Sequence, residues 1–418
     1  MLTSADVLKT GQSLWLDNLR RDFLLDGTLS RQIRDRAITG LTSNPSIFEK
    51  ALGAPFYAEP LQALAAGPAS PEEIFEVLAV EDVQRAADLL RPVHEASGAL
   101  DGYVSMEVSP KLAQDAARTE AEGLRLAERV GRPNLMIKVP ATKEGLKAGE
   151  NLLKKGVSVN FTLIFSVERY RSVTQAYTAA MSWRVRNALP VDGMASVASF
   201  FVSRIDSAVD KELGALAGGQ ELLGRAAVAN SLLAYRLYRE LFYNPGFKAS
   251  GIPPQRILWA STSVKSPAYR PSLYMEELAL EGSVNTAPED ALEAYFADGR
   301  VNREPLQARC AAAEAHLARL AALGLDLNGL LAGLEADGIE KFAKSYDGLL
   351  ARIAGMKTGR AAAGQAPGAP GTLPQGNTAA AFKKLAALDY TARLWKKDPP
   401  PSKSWPPWTT PPASGKKT

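Results

Sequence analysis

The chain holds one cysteine and two histidines in 418 residues. A single thiol, Cys310, forms no internal disulfide, which suits a reducing compartment, and a cytoplasmic location is expected. His94 and His316 lie far apart in helix-like stretches, so the sequence offers no credible zinc or redox-metal cluster and little material for a Ser-His-Asp relay. No apolar run approaches the length of a membrane span, and the opening MLTSADVLKT lacks the apolar region of a signal peptide. No G-x-G-x-x-G follows any strand-like run, so a dinucleotide-binding fold lacks its main fingerprint. Chemistry must then rest on Lys, Asp, Glu, Asn and hydroxyl groups, with no metal and no cofactor expected.

Acidic excess is also missing, but the net charge of +4 misleads when read as a whole. Nine of the 49 Lys/Arg and two of the 45 Asp/Glu fall in residues 358–418, leaving 40 and 43 in residues 1–357. The body is therefore slightly acidic and carries no nucleic-acid footprint. The basic character belongs to a tail that also holds ten of the 27 prolines. Its Gly/Ala/Pro-rich start, short amphipathic segment and PPPSKSWPPWTTPPASGKKT end predict a largely disordered extension with polyproline II character. WPPW offers a ligand for a proline-recognising module, but a solvated tail is the preferred reading, and its partner is left open.

Residues 1–357 alternate short apolar runs with helix-period stretches. Strands are expected at 13–16, 37–41, 102–108, 134–139, 157–161, 195–201, 256–260 and 282–286. Helices are expected at 71–96, 111–130, 167–189 and 225–243, with extra C-terminal helices at 305–323 and 328–353. Ser70-Pro71-Glu72-Glu73, Ser166 before Val167-Glu168, and Pro288-Glu289-Asp290 are helix-start signals. Alternation of this kind implies a parallel sheet with right-handed crossovers. Eight strands over about 290 residues fit a (β/α)8 barrel better than an open sheet.

A barrel demands functional side chains at the C-terminal ends of its strands. Polar residues close each run: Asp17, then Thr42-Ser43-Asn44, Glu107, Lys138, Asn160 with Thr162, Ser199 and Arg204, Ser261, and Asn285-Thr286. The fourth run, NLMIKVPAT, sets Lys138 among apolar residues. Two readings compete: a lysine guarding a solvated edge strand, or an amine kept from water so that it stays a nucleophile. Taken singly, each of these polar residues is better explained as a cap or a loop residue. Eight strand ends converging on one rim favour function. With no metal or cofactor, cleavage of a carbon–carbon bond beside a carbonyl needs another electron sink, and a lysine Schiff base supplies one. Two carboxylates, Asp17 and Glu107, can divide the proton transfers. Asn44 and Asn160 suit polyol hydroxyls, and Arg204 with Lys265 suits an anionic end such as a phosphate.

These residues carry a family resemblance. Gly40-Leu41-Thr42-Ser43-Asn44-Pro45-Ser46 resembles the first signature of the transaldolases, and Ile137-Lys138-Val139-Pro140-Ala141-Thr142 their Schiff-base lysine motif. Ser158 to Ser166, SVNFTLIFS, is similar to a third motif block, and Ser199-Phe200-Phe201-Val202-Ser203-Arg204 to the S-x-F-x-x-R block. The resemblance runs from about residue 5 to residue 357 and implies a ketose phosphate donor and an aldose phosphate acceptor. On it, Lys138 forms the Schiff base, Asp17 takes the C4 hydroxyl proton, and Glu107 with Thr162 holds a catalytic water. Asn44, Asn160 and Ser199 bind the dihydroxyacetone unit, while Arg204 binds phosphate. Phe201 stands where the related fructose-6-phosphate aldolases carry tyrosine, which favours transfer over simple cleavage.

The chain departs from many relatives after strand seven, reading Trp259-Ala260-Ser261-Thr262-Ser263-Val264-Lys265 in place of A-S-F-R. Lys265 is then the expected second phosphate cation, displaced by two residues, and Ser261 is an expected substrate-binding residue. The long WASTSVKSPAYRPSLYMEEL form resembles a bacterial subgroup, some of whose members are fused to glucose-6-phosphate isomerase. LDYTARLWKKD is similar to the joint of such fusions, so the tail reads as a junction remnant or an unrelated extension. Two alternatives stay open: an aldolase that releases free dihydroxyacetone, and an inactive barrel with an interaction tail. Oligomeric state is open as well, a homodimer included.

Overall fold

Eight parallel strands close into a barrel in sequence order, each paired with the next and the last with the first. They are β1 Ser13–Leu16, β2 Ile38–Thr42, β3 Tyr103–Glu107, β4 Leu135–Pro140, β5 Val159–Ile164, β6 Ser196–Phe201, β7 Arg256–Ala260 and β8 Val284–Ala287. The computed structural model describes residues 2–357, so the reading of 358–418 as a disordered tail lies outside the described residues. Strands β4 to β8 are buried along their whole length. Helices cover the outside and side chains fill the inside, which is why these runs read as continuously apolar.

The strands form within three residues of the expected positions, the largest shift falling on β5. Its register slips between Phe161 and Ile164, and Leu163 takes a left-handed φ of 61°. That irregularity is a bulge, and a bulge re-aims neighbouring side chains. The helix expected at 111–130 is two pieces. Pro110–Leu112 is a single 3-10 turn, and Asp115 then caps a new helix, Ala116–Val130, by accepting from the Arg118 amide at 3.0 Å. The remaining expected helices form with ends moved by at most four residues; Ser70 and Glu73 make a reciprocal capping box, and Ser166 accepts from the Arg169 amide. Among the described residues, no single helix is long and apolar enough to cross a membrane.

The floor of the barrel is polar and cross-linked by hydrogen bonds. Asp101 accepts from the Trp15 indole at 2.8 Å and from the Ser13 hydroxyl at 2.5 Å, and pairs with Arg256 at 3.3 Å. Arg256 also donates to the Gly282 and Ser283 carbonyls, at 3.0 and 2.9 Å. Trp15 fits only because β2 carries Gly40 beside it, where a Cβ would lie 2.4 Å from the indole. At the opposite, C-terminal end the last helix, Leu327–Lys357, packs against β5 and against the helices Pro45–Ala51, Pro71–Ala96 and Ser203–Leu213. The sequence placed this helix against the barrel without saying where; it lies across the mouth.

One buried carboxyl on the helix Ser203–Leu213 makes stability depend on pH. Asp206 accepts from the Ala227 amide at 2.7 Å and from the Tyr274 hydroxyl at 2.8 Å, yet burial pushes its carboxyl up to about 6 from 3.8. The folded chain therefore binds more protons at this site than the unfolded chain between those values, so stability from this group falls as pH rises through them. Asp206→Asn removes the titration. In urea unfolding, the variant's stability relative to the parent should improve by on the order of 2–3 kcal/mol from pH 4 to pH 7. A difference that does not change with pH would refute this.

Candidate active site

The motif sequences are built to end a strand and begin a helix within a few residues. After β4, Thr142 accepts from the Gly145 amide at 2.9 Å and donates to the Ala113 carbonyl at 2.6 Å, capping the helix Lys143–Lys154. After β2, the Asn44 Oδ1 accepts from the Ile47 amide at 3.0 Å and Pro45 fills the first helical position. Both turns hold the strand ends rigidly, so Lys138 and the residues after Thr42 project from fixed backbone.

The mouth opens into a cavity of about 1080 Å³ lined by Asp17, Asn44, Lys138, Ser199, Phe201, Arg204, Ser261 and Lys265, among others. Eight of the eleven expected site residues thus share one cavity. Lys138 is only 4% exposed. Its Nζ donates to the Ser43 carbonyl at 3.1 Å and lies 3.3 Å from Glu107 Oε2. Register places the two side by side, Glu107 opposite Lys138 across β3 and β4, with Asn160 next on β5. Burial pushes the Glu107 carboxyl up, although the charge of Lys138 opposes the shift. Asp17 is pushed up for the same reason, against Lys138, Lys265 and a 2.7 Å hydrogen bond from the Thr42 hydroxyl.

Three expected residues do not line that cavity. Glu107 stands behind the lysine, and Asn160 and Thr162 are fully buried. Thr162 Oγ1 lacks a hydrogen-bond partner, and Glu107 Oε2 has only its ion pair with Lys138 among the described residues. Asn160 has both ends of its amide engaged, donating to Ser105 Oγ at 3.0 Å and accepting from Ser199 Oγ at 2.7 Å. Asn44 spends its oxygen on the helix cap, which leaves only its NH2 to donate. Both amides therefore present fewer free hydrogen-bonding sites toward a ligand than their side chains alone would offer.

The anionic end has a clear counterpart. Among the described residues, neither Arg204 nor Lys265 enters an ion pair. Arg204 Nη1 is buried without a hydrogen-bond partner, and burial lowers the guanidinium's proton affinity. Its Cζ sits 5.3 Å from the Phe201 ring and 5.9 Å from that of Phe342. Ser261 holds a left-handed φ of 58°, and its hydroxyl is 2.9 Å from that of Ser203.

Phe342 was not singled out from the sequence, and Thr42 was named there only among the polar residues that close β2, with no role of its own. Phe342, on the helix Leu327–Lys357, also lies 5.7 Å from Lys138 Nζ, so one ring caps both cations. Its only signal in the sequence is the pair Gly338 and Phe342, four apart and so on one helix face. A Cβ at Gly338 would come within 3.0 Å of Leu163. Thr42 supports Asp17 and in turn lies 2.6 Å from the Thr286 hydroxyl.

A parallel eight-stranded barrel with a buried lysine, two carboxyls and unpaired cations at its C-terminal mouth defines an enzyme of the aldolase type of barrel. The sequence profile of the family "Transaldolase/Fructose-6-phosphate aldolase" matches residues 14–353. A protein named transaldolase from Saccharopolyspora erythraea is 47% identical over 347 residues, 82% of this chain and 94% of that protein. Transaldolases from Thiobacillus denitrificans and Thermobifida fusca are 44% and 43% identical, over 84% and 82% of this chain and 100% and 95% of their own lengths. The chain belongs to the transaldolase/fructose-6-phosphate aldolase family.

Proposed function

We propose that this enzyme is a transaldolase. It moves a dihydroxyacetone unit from sedoheptulose 7-phosphate or fructose 6-phosphate to glyceraldehyde 3-phosphate or erythrose 4-phosphate, through a Schiff base on Lys138. The observation that carries the reading is a nearly buried lysine lining the mouth with Glu107 3.3 Å behind it. The ketose phosphate docks with its phosphate on Arg204 and Lys265, and Ser261 at the same end. Glu107, whose carboxyl is pushed up by burial, is suited to accept the amine's proton and return it to the departing oxygen, and with Thr162 to hold the catalytic water. Lys138 Nζ adds to the C2 carbonyl, the oxygen leaves as water, and an iminium forms. Asp17 then takes the C4 hydroxyl proton, the C3–C4 bond breaks, and its electrons move to the iminium nitrogen. The aldose phosphate leaves and the dihydroxyacetone enamine stays on the lysine. Asn44 holds its hydroxyls through the amide NH2, and Ser199, kept in place by Asn160, holds them through its hydroxyl. Phe201 and Phe342 exclude water until an acceptor aldehyde arrives and the steps reverse.

Borohydride reduction in the presence of fructose 6-phosphate tests the mechanism, and recovery of no adduct on the peptide carrying Lys138 would end it. Comparing turnover with and without an acceptor aldose phosphate separates transfer from release of free dihydroxyacetone, as in an aldolase. Cleavage at a comparable rate without acceptor would favour the lyase. An inactive scaffold would give neither product nor adduct.

We also propose residues 1–357 as the catalytic unit and 358–418 as a separate tail. The family match ends at residue 353, and Lys357 is anchored through its Nζ to the Gly67 carbonyl at 3.2 Å and to that of Ala69. A chain ending at Lys357 should keep its kcat within about two-fold, a change of well under 1 kcal/mol in the barrier. A ten-fold drop would show that the tail acts on the site.

A further inference from the structure

The ion pair of Lys138 and Glu107 stands between two cavities. Lys138 lines the large one, of about 1080 Å³, and Glu107 does not. Glu107 instead lines a second cavity of about 270 Å³, and Asn44 lines both. Since the paired atoms lie 3.3 Å apart, the partition is one ion pair thick. The second cavity runs outward past Ser109, Glu122 and Tyr346 to Lys111 and Arg118, both of which are exposed. Glu122 braces it by accepting from the Ser109 amide at 3.0 Å.

Schiff-base chemistry on Lys138, on which this inference rests, must move water at this spot. Dehydration of the carbinolamine releases one molecule per turnover, and hydrolysis of the product iminium consumes one. During both steps a sugar phosphate occupies the large cavity, with C2 against Nζ and the phosphate toward Arg204. The opposite side of the amine faces Glu107, whose buried Oε2 makes no contact of hydrogen-bond type beyond its 3.3 Å ion pair with Lys138 among the described residues. At about 30 Å³ per molecule in the liquid, the second cavity holds several waters.

We infer that the second cavity, behind Glu107, is the passage through which the water of iminium formation leaves and the water of hydrolysis enters, while the sugar covers the mouth-facing side of the Lys138 amine. The Glu107 carboxyl protonates the carbinolamine hydroxyl, the C2–O bond breaks, the C=N bond forms, and the water departs past Ser109. In the reverse direction water adds to the C=N carbon and loses a proton to Glu107, which passes it to the nitrogen; Glu107 then takes the remaining hydroxyl proton as C2=O forms, the C2–N bond breaks and Lys138 leaves as the amine. Each passage moves one water and no net charge. The route also explains why Glu107 borders the second cavity and not the sugar site.

Ser109 is the place to obstruct it, because it lines the second cavity only. A Ser109→Cys variant can be folded first and then labelled with a methyl or a benzyl methanethiosulfonate, with labelled wild type controlling for the buried Cys310. The readout is incorporation of oxygen-18 from labelled water into the C2 position of fructose 6-phosphate, with the rate of a Lys138→Ala variant subtracted. The benzyl label should slow incorporation at least ten-fold and leave the donor KM within two-fold, with recovery when dithiothreitol removes it; the methyl label should change little. Incorporation at the unlabelled rate with the benzyl group in place would overturn the route, as would a rise in KM as large as the loss in rate. If the wild type incorporates no faster than Lys138→Ala, the Schiff-base reading itself falls and the route with it.

Discussion

Lys138→Ala should lower turnover by on the order of 10⁴-fold or more, the scale of losing a covalent nucleophile, and should remove the borohydride adduct while the protein stays folded. The stability half of this expectation is less obvious than the activity half. Breaking a buried ion pair from one side costs roughly 3–5 kcal/mol when the remaining charge is stranded. Uptake of a proton by Glu107 limits that penalty, because burial already pushes its carboxyl up and loss of the lysine charge pushes it further. The truncated stem also faces a cavity, where less packing is lost than in a closed core. Circular dichroism and urea midpoints of Lys138→Ala, with Lys138→Met as a variant that keeps the stem, check this. An adduct surviving in either variant would place the chemistry on another lysine. Collapse of both variants to insoluble protein would make Lys138 structural.

The barrel was legible because strands buried on both faces read as apolar runs, and because polar residues punctuate their ends. Lys138 and Glu107 could be assigned to neighbouring strands, and parallel register then brings them together. What the sequence does not carry is which polar atoms remain free. Asn44 and Asn160 read alike as amides at strand ends, yet one caps a helix and the other bridges Ser105 and Ser199. The bulge at Leu163 was invisible for a related reason: nothing in Phe161-Thr162-Leu163-Ile164 marks a left-handed residue that is not glycine. Phe342 was missed because it lies nearly 140 positions after Arg204 in the sequence, and only the closed tertiary structure brings it over two cations. The separation of Glu107 from the sugar cavity likewise depends on packing among distant helices.

Glu107→Gln and Asp17→Asn should fail at different steps, although each removes a carboxyl worth about 10²–10⁴-fold in general acid–base catalysis. Glu107 sits 3.3 Å from the amine and serves formation and hydrolysis of the iminium. Its amide variant should form the adduct slowly, so borohydride traps less of it at short times. Asp17, held by Thr42 at the end of β1, serves the bond cleavage that follows. Its amide variant should form the iminium with fructose 6-phosphate and stall, so that more of the enzyme is trapped than in the wild type and little aldose phosphate appears. The pH dependence follows from the same burial. As a base Asp17 must be ionised, and its carboxyl is pushed up, so cleavage should rise as pH climbs through that raised value and lose this limb in Asp17→Asn. Rapid-quench trapping of both variants at two pH values is sufficient. If Asp17→Asn traps less iminium than Glu107→Gln, the two roles are exchanged.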